Sequence, residues 1–236
     1  MPNHIKNRLR IIGTNEQIKE VFDKYNTHIE AKLFFAYDGS IICKDKNSEN
    51  FTVGWFNPNT GIFKTREENS ERIGIPENWS FEVSTAVDCF PDFDKIIPSP
   101  RCDEYNDIPT QQAVRNSPNW WMTWNRKNWG TKWNGYEYQT EIFGTYLFDT
   151  AWNGVPDLML ELSKQTPDIE FEYTYADEDT GCNVGKFTFK NGQVISSFLP
   201  GNCSKEAYDL SFELRPYNKE YYQLINDQYE YIDDED

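Results

Sequence analysis

Between Ile169 and Phe198 the chain carries a pattern that commits it to an antiparallel sheet. In "IEFEYTYA", Ile169, Phe171, Tyr173 and Tyr175 fall on one side and Glu170, Glu172 and Thr174 on the other. A period of two residues predicts a strand with one face buried and the other in water. "GKFTFKNGQVISSFLP" then predicts a hairpin across Asn191-Gly192. Both central residues of a type I′ turn take positive φ, which Asn and Gly tolerate best. Lys186 and Lys190 are expected to pair across strands with Glu170 and Glu172.

The remaining elements fit around such a sheet. Leu9 and Ile11 share one face of a strand ending at Gly13, and Thr14 with Gln17 makes a capping-box pair. Ile18, Val21, Phe22 and Tyr25 follow at helical spacing. Glu141 to Thr150 predicts a strand. Pro156 opens a short helix that stops before Pro167, and a last helix runs from Ser204 to Leu214. Residues 32–85 read as β-rich: an Asp38-Gly39 turn between apolar runs, a longer loop within "FTVGWFNPNTGIFKT", and a strand in "WSFEVSTAV". The expected fold is α+β, a ferredoxin-like antiparallel sheet with helices on one face. Residues 1–31 supply its first strand and helix, 32–85 a β-rich insertion, 86–215 the remainder, and 216–236 an acidic C-terminal tail.

Composition says what fills the core. Leu, Ile, Val and Phe total 52 residues, close to the range of disordered chains, but aromatic residues make up 16%. Five of the eight tryptophans lie in "NWWMTWNRKNWGTKWN", Asn119–Asn134. That segment sits in a run from Ile108 to Tyr136 without Asp or Glu, containing Arg115, Arg126, Lys127 and Lys132. Base stacking on Trp120, Trp129 and Trp133, with those four cations holding phosphates, is one reading. Core packing is the favoured one, because a helix from Pro109 to Asn128, closed by Gly130, sets Trp120, Trp121 and Trp124 on one face.

Net charge is −16, and residues 163–236 alone hold 16 acidic against 6 basic side chains. Such a field repels nucleic acid as a whole and favours basic protein surfaces. Five widely spaced cysteines without a C-x-x-C suit reduced thiols, and no apolar run approaches membrane-spanning length. The expectation is a soluble protein of the cytoplasm.

Several motifs occur in order: "NRLRIIG" near the start, "FDKIIPSP" at Phe93–Pro100, "NWGTKWN" at Asn128–Asn134, "FDTAWNGVP" at Phe148–Pro156 and "FEYTYADEDTGCNVGKFTF" at Phe171–Phe189. Together they resemble the YubB ferredoxin-like family, small proteins of plasmids and phages, over residues 3–14 and roughly 89–215. The resemblance implies a ferredoxin-like domain and a mobile-element origin. It implies no reaction.

Catalytic signatures are missing: no G-x-G-x-x-G, Walker loop, H-E-x-x-H or G-x-S-x-G, and only His4 and His28. "DEDTGCNVG", Asp177–Gly185, fails as a calcium loop because its fifth position is Gly181 and its sixth Cys182. The expected function is therefore non-enzymatic, without cofactor or metal. It is that of a mobile-element accessory protein inhibiting a host defence effector, of anti-CRISPR or anti-restriction type, whose basic groove takes nucleic acid. Glu170, Glu172, Asp177, Glu178 and Asp179, with Asp233, Asp234, Glu235 and Asp236, would present the carboxylates. The alternative is a single-stranded nucleic-acid-binding module using Arg115, Trp120, Arg126, Lys127, Trp129, Lys132 and Trp133. Sequence leaves the oligomeric state open.

Overall fold

The first strand, β1 (His4–Ile12), buries Ile5, Asn7, Leu9 and Ile11 and turns Lys6, Arg8 and Arg10 the other way. This computed structural model describes residues 3–29, 32–33, 41–45, 53–57, 59–65, 72–81, 83–84, 87–100 and 120–232. The chain divides into two units, one of Met1–Thr27 with Cys89–Asp236 and the other His28–Asp88.

In the larger unit, β1 is followed by helix α1 (Asn15–Tyr25), then α2 (Phe93–Ile96) and α3 (Trp121–Asn128). Strands β2 (Tyr136–Ile142) and β3 (Thr145–Ala151) precede helix α4 (Pro156–Gln165). Next come β4 (Glu170–Asp177), β5 (Gly185–Lys190), β6 (Gln193–Phe198) and helix α5 (Lys205–Leu214), and a hairpin of β7 (Tyr222–Ile225) and β8 (Gln228–Tyr231) closes the unit. The six-stranded sheet has the order β2-β3-β1-β4-β5-β6, and its pairings are antiparallel. Within it, β1-α1-β2-β3-α4-β4 with strand order β2-β3-β1-β4 is the ferredoxin-like arrangement, extended by β5 and β6.

Local signals explain most elements. The Thr14 hydroxyl accepts from the Gln17 amide at 3.3 Å while the Gln17 side chain accepts from the Thr14 amide at 2.8 Å, so both halves of the capping box form. Asn191 and Gly192 take φ of 50° and 68°, as the β5–β6 turn requires. The stretch expected as one strand over 141–150 is two, because Gly144, at φ 83°, folds the chain back between β2 and β3.

Ile5, Leu9, Phe148, Phe171, Tyr173 and Phe189 meet α1, α2 and α4 on one face of the sheet, and each fully buried ring contributes about 2–3 kcal/mol. α5 departs from the expectation of helices on one face. Its Ala207, Leu210 and Leu214 pack with Ala176 and Val184, and Glu213 reaches Arg8 on the opposite side. The expected acidic tail is also folded as far as residue 232. Asn226 and Asp227 adopt positive φ between β7 and β8, whose Tyr222 and Tyr229 pack on Tyr208 and Phe212 of α5.

In the smaller unit, Arg72–Ile73, Ile62–Thr65, Val53–Asn57, Ile41–Asp45 and Trp79–Phe81 lie in that order in one antiparallel sheet. Val53–Asn57 and Ile62–Thr65 form the hairpin expected with a longer loop. Of the hairpin expected across Asp38-Gly39, only the outer parts of the two strands are described. Lys32–Leu33 joins Val83–Ser84, and Ile41–Asp45 joins Val53–Asn57 and Trp79–Phe81. The turn itself lies outside the described residues.

One buried polar network crosses the core. The Tyr173 hydroxyl donates to Asn7 Oδ1 at 2.6 Å and accepts from the Val155 amide at 2.7 Å. Asn7 Nδ2 lies within hydrogen-bonding distance of the Ile5 and Phe148 carbonyls and the Thr150 hydroxyl. Tyr173→Phe removes the donor to Asn7 and the acceptor for Val155 together. It is expected to lower unfolding stability by about 2–4 kcal/mol, read as a lower urea midpoint at unchanged slope. An unchanged midpoint would show that the network contributes nothing.

Candidate functional site

The tryptophan segment is fastened into the fold. Trp129, 5% exposed, donates its indole N–H to the Ile97 carbonyl at 2.9 Å and meets Phe93 and Trp124 edge-on. The Thr131 hydroxyl donates to the Ala151 carbonyl and accepts from the Ala151 amide. Asn134 Oδ1 accepts from the Phe93 and Gly135 amides and the Tyr138 hydroxyl, while its Nδ2 donates to Asp92 at 2.7 Å. Asp92 caps α2 and also takes the Thr27 hydroxyl, so this carboxylate is structural.

Trp120, Trp121 and Trp124 do not share one buried face. The helix starts at Trp121, leaving Trp120 half-buried before it, and Trp121 is 38% exposed while Trp124 packs on the core. The chain's own cations cover the remaining rings. Lys132 Nζ lies 4.4 Å from the Trp133 ring centre and 5.2 Å from that of Trp152, and the Arg126 guanidinium lies 5.4 Å from Trp152. Each such contact is worth about 0.5–1 kcal/mol and occupies a face that a base would need. Lys127 is exposed, and Arg115 lies outside the described residues.

The acidic candidates separate into three groups. Glu170 and Glu172 stand on the second sheet face, with Glu170 opposite Lys190 in register and Glu172 ion-paired to Arg10 at 3.2 Å. Glu172 is opposite Thr188, and Lys186 is opposite Thr174 with Glu213 at 3.8 Å, so the expected Lys186 pairing is replaced. Asp177 is 5% exposed, because it shares the inward face with Tyr173 and Tyr175. Its carboxylate accepts from Asn3 Nδ2, Asn183 Nδ2 and the Asp179 amide, organising the β4–β5 connection. Glu178 and Asp179 are exposed on that connection. Asp233, Asp234, Glu235 and Asp236 lie outside the described residues.

A polar cluster fills the second face near the start of β1. Lys6 pairs with Asp149 at 2.7 Å, the Tyr136 hydroxyl meets His4 Nδ1 at 2.7 Å, and Arg215 donates to the His4 carbonyl at 2.9 Å. Burial, then Asp149, Glu178 and Glu137, push the Tyr136 phenol up to about 12 against a smaller opposing effect of Arg215. The other histidine, His28, meets Asp88 at 2.9 Å on an exposed surface. Among the described residues no group of three or more His, Cys, Asp or Glu is placed to hold a metal ion. No helix among them is long and apolar enough to cross a membrane.

Sequence reasoning missed the outer edge of the sheet. Among the described residues β6 pairs with β5 alone, and Val194, Ile195, Phe198 and Leu199 are 49%, 56%, 47% and 60% exposed. The available signal was the uncharged run from Asn191 to Ser204 in a chain with 26% charged residues. The opposite edge, β2, carries Glu137 and Glu141 and two register irregularities, which guard it against added strands. Phe198 is opposite Lys186, just after the β4–β5 connection, so the apolar end of β6 and exposed Glu178 and Asp179 share one end of the sheet.

Fold and surfaces together define an α+β domain of ferredoxin-like topology with an open, uncharged sheet edge. Residues 128–217, from the end of α3 beyond α5, match the model of a family described as the ferredoxin-like domain in Api92-like protein. That match bears out the ferredoxin-like domain expected from the resemblance. Neither the curated proteins nor the solved structures contain a match to the chain.

Asn134→Ala strips the acceptor from the Phe93 and Gly135 amides and the donor from Asp92, and is expected to cost about 2–4 kcal/mol in chemical denaturation. A loss below about 0.5 kcal/mol would contradict a fastening role for the tryptophan segment. The Tyr136 shift has a defined sign. A phenol raised from its ordinary 10 to about 12 binds its proton more tightly in the folded state, so its contribution is complete below pH 10 and lost as pH rises towards 12. Tyr136→Phe should therefore flatten the fall in stability across that window, measured by thermal unfolding at stepped alkaline pH.

Proposed function

We propose that the protein is a non-enzymatic accessory protein of a mobile element. It binds a host nucleic-acid-binding defence protein and places carboxylates and an apolar strand edge where phosphates would otherwise enter. The observation that carries this reading is that exposed Phe198 and Leu199 share one end of the sheet with exposed Glu178 and Asp179. An apolar centre with a charged rim is how a protein surface is recognised, and an open strand edge adds backbone hydrogen bonds. The carboxylates supply the ion pairing that DNA would offer a basic groove. The mobile-element setting rests on the resemblance of the ordered motifs to the YubB ferredoxin-like family. The nucleic-acid-binding alternative loses support because Lys132 and Arg126 already cover Trp133 and Trp152.

Affinity capture from a bacterial lysate, followed by competition with single-stranded and duplex DNA, tests the reading. The captured partner should be displaced by nucleic acid. Phe198→Asp, or Glu178→Lys with Asp179→Lys, should weaken its binding about tenfold or more while circular dichroism stays native. Salt-sensitive binding of single-stranded DNA by the chain itself, lost in Arg126→Ala with Lys132→Ala, would sink the proposal in favour of the alternative.

A further inference from the structure

The β4–β5 connection holds a second chemistry, one that does not depend on what its acidic residues bind. The Cys203 amide donates to the Gly181 carbonyl at 2.8 Å, and the Asn183 amide donates to Asn202 Oδ1 at 3.1 Å. Residues 181–183 thus run alongside residues 202–203, just ahead of α5. These two links flank Cys182 and Cys203 and bring the two cysteines side by side, although they are distant in sequence. Cys203 is exposed, Cys182 is half-buried, and both thiols are free. The Tyr208 ring lies against Gly181, at which a Cβ would strike it, and its phenol is raised by burial and then by Cys203 and Cys182. A third cysteine, Cys43, is buried in the other unit with its thiol pushed by burial to about 11, which keeps it unreactive at neutral pH.

We propose that Cys182 and Cys203 are a redox-active dithiol that closes to a reversible disulfide by exchange with a low-molecular-weight disulfide such as glutathione disulfide. The exposed Cys203, as thiolate, attacks one sulfur of the oxidant. That breaks its S–S bond, releases one glutathione thiolate and leaves a mixed disulfide on Cys203. Cys182 then loses its proton to solvent, attacks the Cys203 sulfur and expels the second glutathione. Two protein thiols are oxidised to one disulfide, and one glutathione disulfide is reduced to two glutathiones. Burial, then the contact with Cys203, raise the Cys182 thiol, which suits the resolving role over the first attack. The product ties the connection bearing Glu178 and Asp179 to the N-terminus of α5.

The test uses the full, reduced, folded chain. It is equilibrated with excess glutathione disulfide, quenched by alkylation and digested with trypsin. Cleavage at Lys164, Lys186, Lys190 and Lys205 places Cys182 and Cys203 in separate peptides, Gln165–Lys186 and Asn191–Lys205. The expected result is a disulfide-linked pair of these peptides as the main product, abolished by dithiothreitol, with Cys43 still alkylated after denaturation. In Cys203→Ser the linked pair should vanish and Cys182 should alkylate. Glutathione retained on Cys203 with Cys182 still a thiol, or two unmodified thiols in the wild-type chain, overturns the proposal without reference to the variant.

Discussion

The Tyr173 hydroxyl is the point on which the larger unit depends. It donates to Asn7 on the neighbouring strand and accepts from the Val155 amide at the start of α4, while Asn7 reaches the backbone and Thr150 of β3. Three strands and one helix therefore share a chain of hydrogen bonds in the buried core. A polar group left alone there costs more than a paired one gains, so the network selects one register more than it adds net stability. Burial drives the Tyr173 phenol well above its ordinary range, keeping the donor protonated wherever the protein is folded.

Around that network the two sheet faces obey different rules. The first is apolar and covered by α1, α2 and α4, with aromatic rings supplying the area that the scarce aliphatic residues do not. The second is polar and balanced, with Lys6 against Asp149, Arg8 against Glu213 and Arg10 against Glu172. Exposed pairs such as Arg10–Glu172 contribute at most about 1 kcal/mol each, but they disfavour strand slips that would set like charges together. The consequence is that Glu170 and Glu172 sit among cations. The exposed acids Glu178 and Asp179 follow the other end of β4.

What could be read from sequence was what neighbouring residues decide among themselves. The alternation of β1 and β4, the Thr14–Gln17 capping box and the Asn191-Gly192 turn are local, and each is present. Ile142, Phe143 and Gly144 misled because an apolar run reads as buried strand, whereas Ile142 and Phe143 are exposed at the tip of a turn. The last residues looked like a solvated tail because their acids were counted and their tyrosines were not matched to partners on α5. Asp177 was grouped with its acidic neighbours, although two-residue alternation places it with Tyr175 on the inward side. The opposite placement of α5 and the cations over Trp133 and Trp152 depend on contacts between segments far apart, which no local pattern encodes.

The pairing of Thr27–Ile29 with Val87–Cys89 brings the two ends of the inserted unit side by side. Such a junction acts as a socket, because what hangs from it changes the closure entropy only with the logarithm of its length, about 0.6 kcal/mol for each doubling. A change in the length of His28–Asp88 therefore shifts the closure cost borne by the core only slightly.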